Sequence, residues 1–145
     1  MKTKLIELGA CEDAREWAGD KTIDEIWATC HGGDWMLWLA KKLNIDKRVL
    51  TLAKGHCANT VRHLMNDERS IAAVDMAIKY GEGNATDLEL AAASAAAAYA
   101  AASSAAAADA AADAAYAAAD RIKSQKQTAD IVRKYIPIEL IKEKL

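Results

Sequence analysis

Six side chains in this 145-residue chain could hold a soft metal ion: the thiols of Cys11, Cys30 and Cys57 and the imidazoles of His31, His56 and His63. Thiolate and imidazole are the ligands that Zn²⁺ prefers, and a structural site would need four of them in tetrahedral array. Their spacing argues against one. Cys30-His31 and His56-Cys57 are adjacent pairs, which point about 100° apart on a helix, and the chain has no Cys-x-x-Cys or His-x-x-x-His pair. Each cysteine sits beside apolar helix positions, where a free thiol packs as a small hydrophobe. Core packing is the expected role of all three, and no metal or other cofactor is expected.

His56 and His63 are seven residues apart and would share a helix face with Asn59 and Thr60, either as a polar pocket or as solvated surface. No serine or cysteine has a recognisable base and orienting acid, so the expectation is a protein that is not an enzyme. The turn His31-Gly32-Gly33-Asp34 opens a helix, and glycine-rich helix starts can bind phosphate through their amides. A carboxylate at Asp34 competes for those same amides, which favours a plain N-cap. Trp27, Trp35 and Trp38 could form an exposed aromatic anchor, because tryptophan is enriched at binding hot spots. Their bulky apolar neighbours favour the core instead. Arg121, Lys123, Lys126, Arg133 and Lys134 could meet nucleic acid, but Asp120 and Asp130 interrupt them and only Tyr135 adds an aromatic ring. A solvated helix end is the simpler reading, so nucleic acid is not an expected partner.

The candidate contact surface is acidic. Asp109, Asp113, Tyr116 and Asp120 follow spacings of four, three and four, which puts them on one helix face. Acidic faces can occupy the basic clefts of nucleases, so this stripe is the expected partner-binding site.

The elements that must carry these residues are helices. Two capping boxes, Thr22 to Glu25 and Thr86 to Glu89, mark helix starts. With the apolar spacing they predict helices near Glu12 to Trp17, Ile23 to Cys30, Trp35 to Leu43, Lys47 to Met65 and Arg69 to Tyr80. Asp34 and Asp46 read as N-caps, and Gly19, Asn44, Asn66 and Gly81 as stops that take the left-handed conformation cheaply. Pro137 ends the last long helix and leaves Ile138 to Leu145 as a terminal turn or short helix. No segment alternates as a strand.

From Ala91 to Ala119 the chain has 22 alanines among 29 residues. Alanine has the best intrinsic helix propensity, so a helical segment from Leu88 to Tyr135 needs no large side chains to form. One unbroken helix over 87–135 would be about 73 Å long, against a domain diameter of roughly 38 Å. The segment is therefore expected to break near Ser103 and Ser104 and to fold back or bend. Its methyl faces allow close helix approach, but each alanine buries only about one methyl, on the order of 0.8 kcal/mol. The bulky partners must come from the first half, from Trp17, Trp27, Trp35, Trp38, Met36, Leu37, Leu39 and Leu43. The predicted fold is one all-α domain over 1–145, a compact bundle of about six to eight helices with long alanine-rich C-terminal helices.

Composition bounds the function. A net charge of −2 and a pI near 5.9 give no general attraction to nucleic acid or anionic membrane. An odd number of cysteines, with no apolar h-region in Met1 to Leu8, predicts reduced thiols in the cytoplasm. The alanine tract carries Asp109, Asp113 and Asp120 and is not expected to cross a membrane. A flat alanine-rich helix can bind ice, but the tract lacks a regular Thr repeat.

Three stretches in order, Cys11 to Trp17 (CEDAREW), Trp27 to Leu39 (WATCHGGDWMLWL) and Ala129 to Pro137 (ADIVRKYIP) after the alanine tract, resemble a bacterial and phage family. It is the fifth-numbered immunity group of polymorphic toxin systems, and the resemblance runs from end to end. The family commonly has a basic residue and one glycine before the position of Asp34, where this chain has His31-Gly32-Gly33. The resemblance implies an immunity protein that neutralises a toxin by direct binding. Its frequency in phage genomes implies an alternative, a counter-defence protein that binds a host factor. Independently of the resemblance, the alanine faces allow a third reading, a self-associating helical module or homo-oligomer.

Overall fold

The computed structural model describes residues 1–104 and 116–145, with side chains described for 1–98 and 123–145. Among the described residues the fold is all-α, with nine α-helices and no strand. They are α1 (Lys2–Glu7), α2 (Glu12–Ala18), α3 (Ile23–Thr29), α4 (Gly33–Lys42), α5 (Lys47–Asn59), α6 (Glu68–Gly81), α7 (Asp87–Ser104), α8 (Tyr116–Tyr135) and α9 (Ile138–Lys142). A single 3₁₀ turn at Arg62–Leu64 joins α5 to α6. The number of described helices exceeds the expected six to eight by one; the unexpected helix is α1, whose only buried side chain is Leu5.

Both capping boxes form. The Thr22 amide donates to Glu25 Oε2 at 2.7 Å and the Glu25 amide to Thr22 Oγ1 at 3.3 Å; Thr86 and Glu89 repeat the exchange at 2.8 and 3.3 Å. The bond from the Thr22 backbone holds the Glu25 carboxyl below the usual carboxylate range, as that from Thr86 does for Glu89. Asp46 caps α5 by accepting from the amides of Arg48 and Val49.

Several helix ends differ from the sequence expectation. Helix α4 starts one residue before Asp34, with Gly32 as its N-cap, and Asp34 accepts from the Trp35 amide at 2.9 Å inside the first turn. Helix α5 stops at Asn59 and not Met65, because the Thr60 hydroxyl donates to the Cys57 carbonyl at 2.7 Å and the chain tightens into the 3₁₀ turn. Asn44 is left-handed (φ 53°) and Gly19 has positive φ, as expected, but Asn66 is not left-handed. Gly81 stays inside α6, and Gly83 two residues later takes the positive φ.

Gly81 has a packing role. A Cβ there would lie 2.7 Å from Leu52 Cα, nearer than carbon atoms approach, and a Cβ at Gly55 would lie 3.0 Å from Ile78. Leu52 faces Gly81 while Gly55 faces Ile78, so α5 and α6 run antiparallel with backbones in close contact. A third close approach joins α4 to α8, where a Cβ on Gly33 would meet the Ala129 amide at 2.8 Å. Helix α7 packs on α6, and α8 packs on α4 and α5. The two alanine-rich helices thus rest on different neighbours.

Among the described residues, the tryptophan-rich first half packs on the C-terminal part of α8; the middle of the alanine tract, where the expected packing would also fall, lies outside them. The core joins Met36, Leu39 and Ala40 of α4, Leu43 at its C-cap and Leu50, Ala53 and Cys57 of α5 to Ala129 and Val132 of α8 and Ile136 just beyond it. Val132, Ile136 and Ile141 are the largest side chains with no exposure. Each such side chain contributes roughly 1.5–3 kcal/mol on burial, several times what one alanine methyl supplies. The part of α8 that anchors the first half is therefore the part where alanine gives way to β-branched residues. Gly81→Ala should lower stability by about 1–3 kcal/mol, read as a reduced urea midpoint at unchanged slope; an unchanged midpoint would show that α5 and α6 do not touch there.

Candidate functional site

A cavity of about 400 Å³ opens between the α1–α2 pair and the α3–α4 pair. Ala10, Cys11, Ala14 and Ala18 form one side with small groups, and Trp17, Trp35, Trp38 and Met36 supply the bulk opposite and around them. Small side chains facing indoles leave space that a uniformly large wall would fill. The Trp17 and Trp35 rings lie 6.2 Å apart and tilted by 58°, within the range of separations over which aromatic pairs attract. The Lys21 ammonium stands 4.6 Å from the Trp17 ring centre and also donates to the Trp17 carbonyl. Trp35 and Trp38, expected in the core, are only half-buried, and so is Trp17; Trp27 alone of the four is core, at 3 % exposure.

The floor is held by α3, and α3 is held by the C-terminal helices. The Trp27 indole donates to the Ile136 carbonyl at 3.2 Å. In return the Arg133 guanidinium donates to the Trp27 carbonyl at 2.7 Å and to the Cys30 carbonyl. These are terminal carbonyls of α3, where a cation also complements the helix dipole. Arg133 keeps Asp130 as a partner at 2.8 Å. It is therefore part of the scaffold, whereas Lys123, Lys126 and Lys134 remain exposed as a solvated helix end would have them.

The thiols and imidazoles do not converge. Among the described residues no group of three or more His, Cys, Asp or Glu side chains gathers. Cys11 is exposed at the cavity mouth, contrary to the expectation of core packing, because it is the N-cap of α2. Cys30 and Cys57 are buried as expected. Burial pushes the Cys57 thiol up to about 11, and it donates weakly to the Thr128 carbonyl at 3.7 Å. Burial also raises Cys30, whose thiol donates to the Gly32 carbonyl. His56 stacks on Tyr135 with rings 4.3 Å apart and 5° from parallel, while His31 and His63 are exposed. His63 lies on the 3₁₀ turn beyond the end of α5, so the expected shared face with His56, Asn59 and Thr60 does not form. Asp109 and Asp113 of the expected acidic stripe lie outside the described residues; Tyr116 and Asp120 fall within α8, but their side chains lie outside them too.

A second polar group ties α5, α6 and α7 together. Lys47 pairs with Asp87, the Tyr80 hydroxyl donates to Asp87 at 2.9 Å, and Arg48 donates to the Tyr80 carbonyl at 2.6 Å. Lys47 and then Tyr80 hold the Asp87 carboxyl below its usual range. None of these residues lines the cavity.

The cavity was the feature hardest to reach from sequence. Its only signal is the spacing of Cys11, Ala14 and Ala18, a stripe of small residues on the helix that carries Trp17. Among the described residues the fold is thus an all-α assembly with an apolar, tryptophan-walled recess. Comparison of the chain with protein-family profiles, curated proteins and solved structures gives no match. The thiols should separate by reactivity: at pH 8, Cys11 should alkylate on the order of a hundredfold faster than Cys57, whose thiolate is scarce and covered. Peptide mass mapping after iodoacetamide reads this, and equal labelling of both would contradict the burial described.

Proposed function

We propose that this chain is a non-enzymatic protein-binding domain of the immunity kind, acting in the cytoplasm to neutralise a toxin by direct contact. The observation that carries the reading is the half-buried tryptophan wall around an open apolar cavity. Such a cavity suits an anchor side chain from a partner, since hot spots concentrate at aromatic groups in pockets that exclude water. The resemblance of the Cys11–Trp17, Trp27–Leu39 and Ala129–Pro137 stretches to the immunity family supports the same reading. The dispersal of the thiols and imidazoles favours binding over catalysis. No helix among the described residues is long and apolar enough to cross a membrane.

The direct test is to look for a toxin gene beside this one and co-express its product with the chain, followed by measurement of toxicity and affinity. The chain should rescue growth, and Trp17→Ala should weaken binding about 30-fold, the loss of one hot spot. Reversing the charges of Asp109, Asp113 and Asp120 asks whether the acidic stripe is also a contact; unchanged rescue would remove it. Failure to rescue, with binding to a host-defence protein instead, would favour phage counter-defence. Light scattering addresses the self-associating module, since a monomer across micromolar concentrations would reject it.

A further inference from the structure

Asp34 supplies the only carboxylate among the side chains that line the tryptophan-walled cavity, which otherwise offers indoles, aliphatic groups and two thiols. One Asp34 oxygen accepts from the Trp35 amide at 2.9 Å. None of the ion pairs among the described residues includes Asp34. Asp34 is exposed at the cavity mouth, so an occupant meets there a carboxylate that no cation among the described residues pairs.

The indoles add to that preference. The face of an indole attracts cations through its quadrupole, and this chain already uses the effect twice at the same wall. Lys21 stands 4.6 Å from the Trp17 ring centre and Lys42 stands 5.8 Å from that of Trp38. An anionic occupant would face Asp34 with no cationic side chain among the lining residues. A neutral apolar occupant would fill the wall but gain nothing from the carboxylate, which would keep only its backbone bond and solvent. At about 400 Å³ the space lies near the small end of the roughly 300–1,000 Å³ typical of ligand pockets, which suits one long side chain.

The geometry points to a basic side chain of a protein partner, arginine or lysine, as the occupant: its aliphatic stem lies against the half-buried indoles of Trp17 and Trp35, and its cation meets Asp34 at the mouth. This rests on the protein-binding reading and specifies the chemistry of its anchor. It goes beyond that reading in assigning a sign of charge to a site that is mostly apolar. Arginine and lysine share the needed design, because both carry a charged head on an apolar stem.

The test uses the whole chain and four small probes of similar length: butylguanidinium, butylammonium, 1-pentanol and pentanoate. Each is titrated while the indole N–H signals of the tryptophans are followed by NMR. The two cations should perturb the Trp17 and Trp35 signals and bind about fivefold more tightly than pentanol, the scale of one exposed charge pair. Pentanoate should bind most weakly. In Asp34→Asn the cations should fall to the level of pentanol, while pentanol binding stays unchanged and so shows that the cavity remains intact. Pentanol or pentanoate binding as tightly as the cations would overturn the inference. So would an Asp34→Asn variant that keeps the cation preference, or no probe shifting these indoles. The outcome is separable from that of the protein-binding reading. A Trp17-dependent toxin complex without cation preference sinks only this inference, whereas cation preference without any toxin complex sinks only the reading.

Discussion

The reciprocal clasp between α3 and α8 holds the rest of the structure in register. Trp27 sends its indole N–H to Ile136, and Arg133 sends its guanidinium back to the carbonyls of Trp27 and Cys30. Each hydrogen bond from a charged donor contributes about 1.5–3 kcal/mol, and a buried carbonyl left without one costs about 1–3 kcal/mol. The clasp spans about a hundred residues of sequence, so it closes the chain across its whole length. Cys30 and Trp27 line the cavity while Arg133 holds their carbonyls. The shape of the cavity therefore depends on residues that never touch its occupant.

Close helix contact is achieved by glycine more than by alanine. Gly33, Gly55 and Gly81 sit where backbones cross: a methyl group would collide at Gly33 and Gly81 and would be tight against Ile78 at Gly55. Around those crossings the volume is filled by leucine, isoleucine, valine and methionine. The described alanines of α7 lie on α6 with many of them exposed, and Leu88 at the start of that helix is 80 % exposed. Alanine here secures helicity by intrinsic propensity and leaves the tertiary energy to others.

Much of the helical framework was legible in the sequence, because its signals are local. Thr22 with Glu25, Thr86 with Glu89, and Asp46 fix helix starts through bonds within three residues. The misassigned ends involve competition that spacing does not reveal: Gly81 looks like a stop but is retained in α6 for its contact with Leu52. Arg133 reads as one of several basic residues at a solvated helix end, and nothing near it in sequence announces its bond to Trp27. The cavity was hidden for a related reason. Hydrophobic periodicity tells which face of a helix is apolar, but not whether the opposing faces fill the space between them. Cys11 and Trp38 show the same limit, each beside apolar neighbours and yet at the rim of a void.

A double-mutant cycle of Trp27→Phe and Arg133→Met, measured by chemical denaturation, tests the clasp most directly. The account predicts that each single change destabilises by more than about 1 kcal/mol, and that the pair is coupled by at least about 1 kcal/mol, because loosening one bond releases the other. Effects that add to within about 0.3–0.5 kcal/mol would contradict it, since independent sites behave that way.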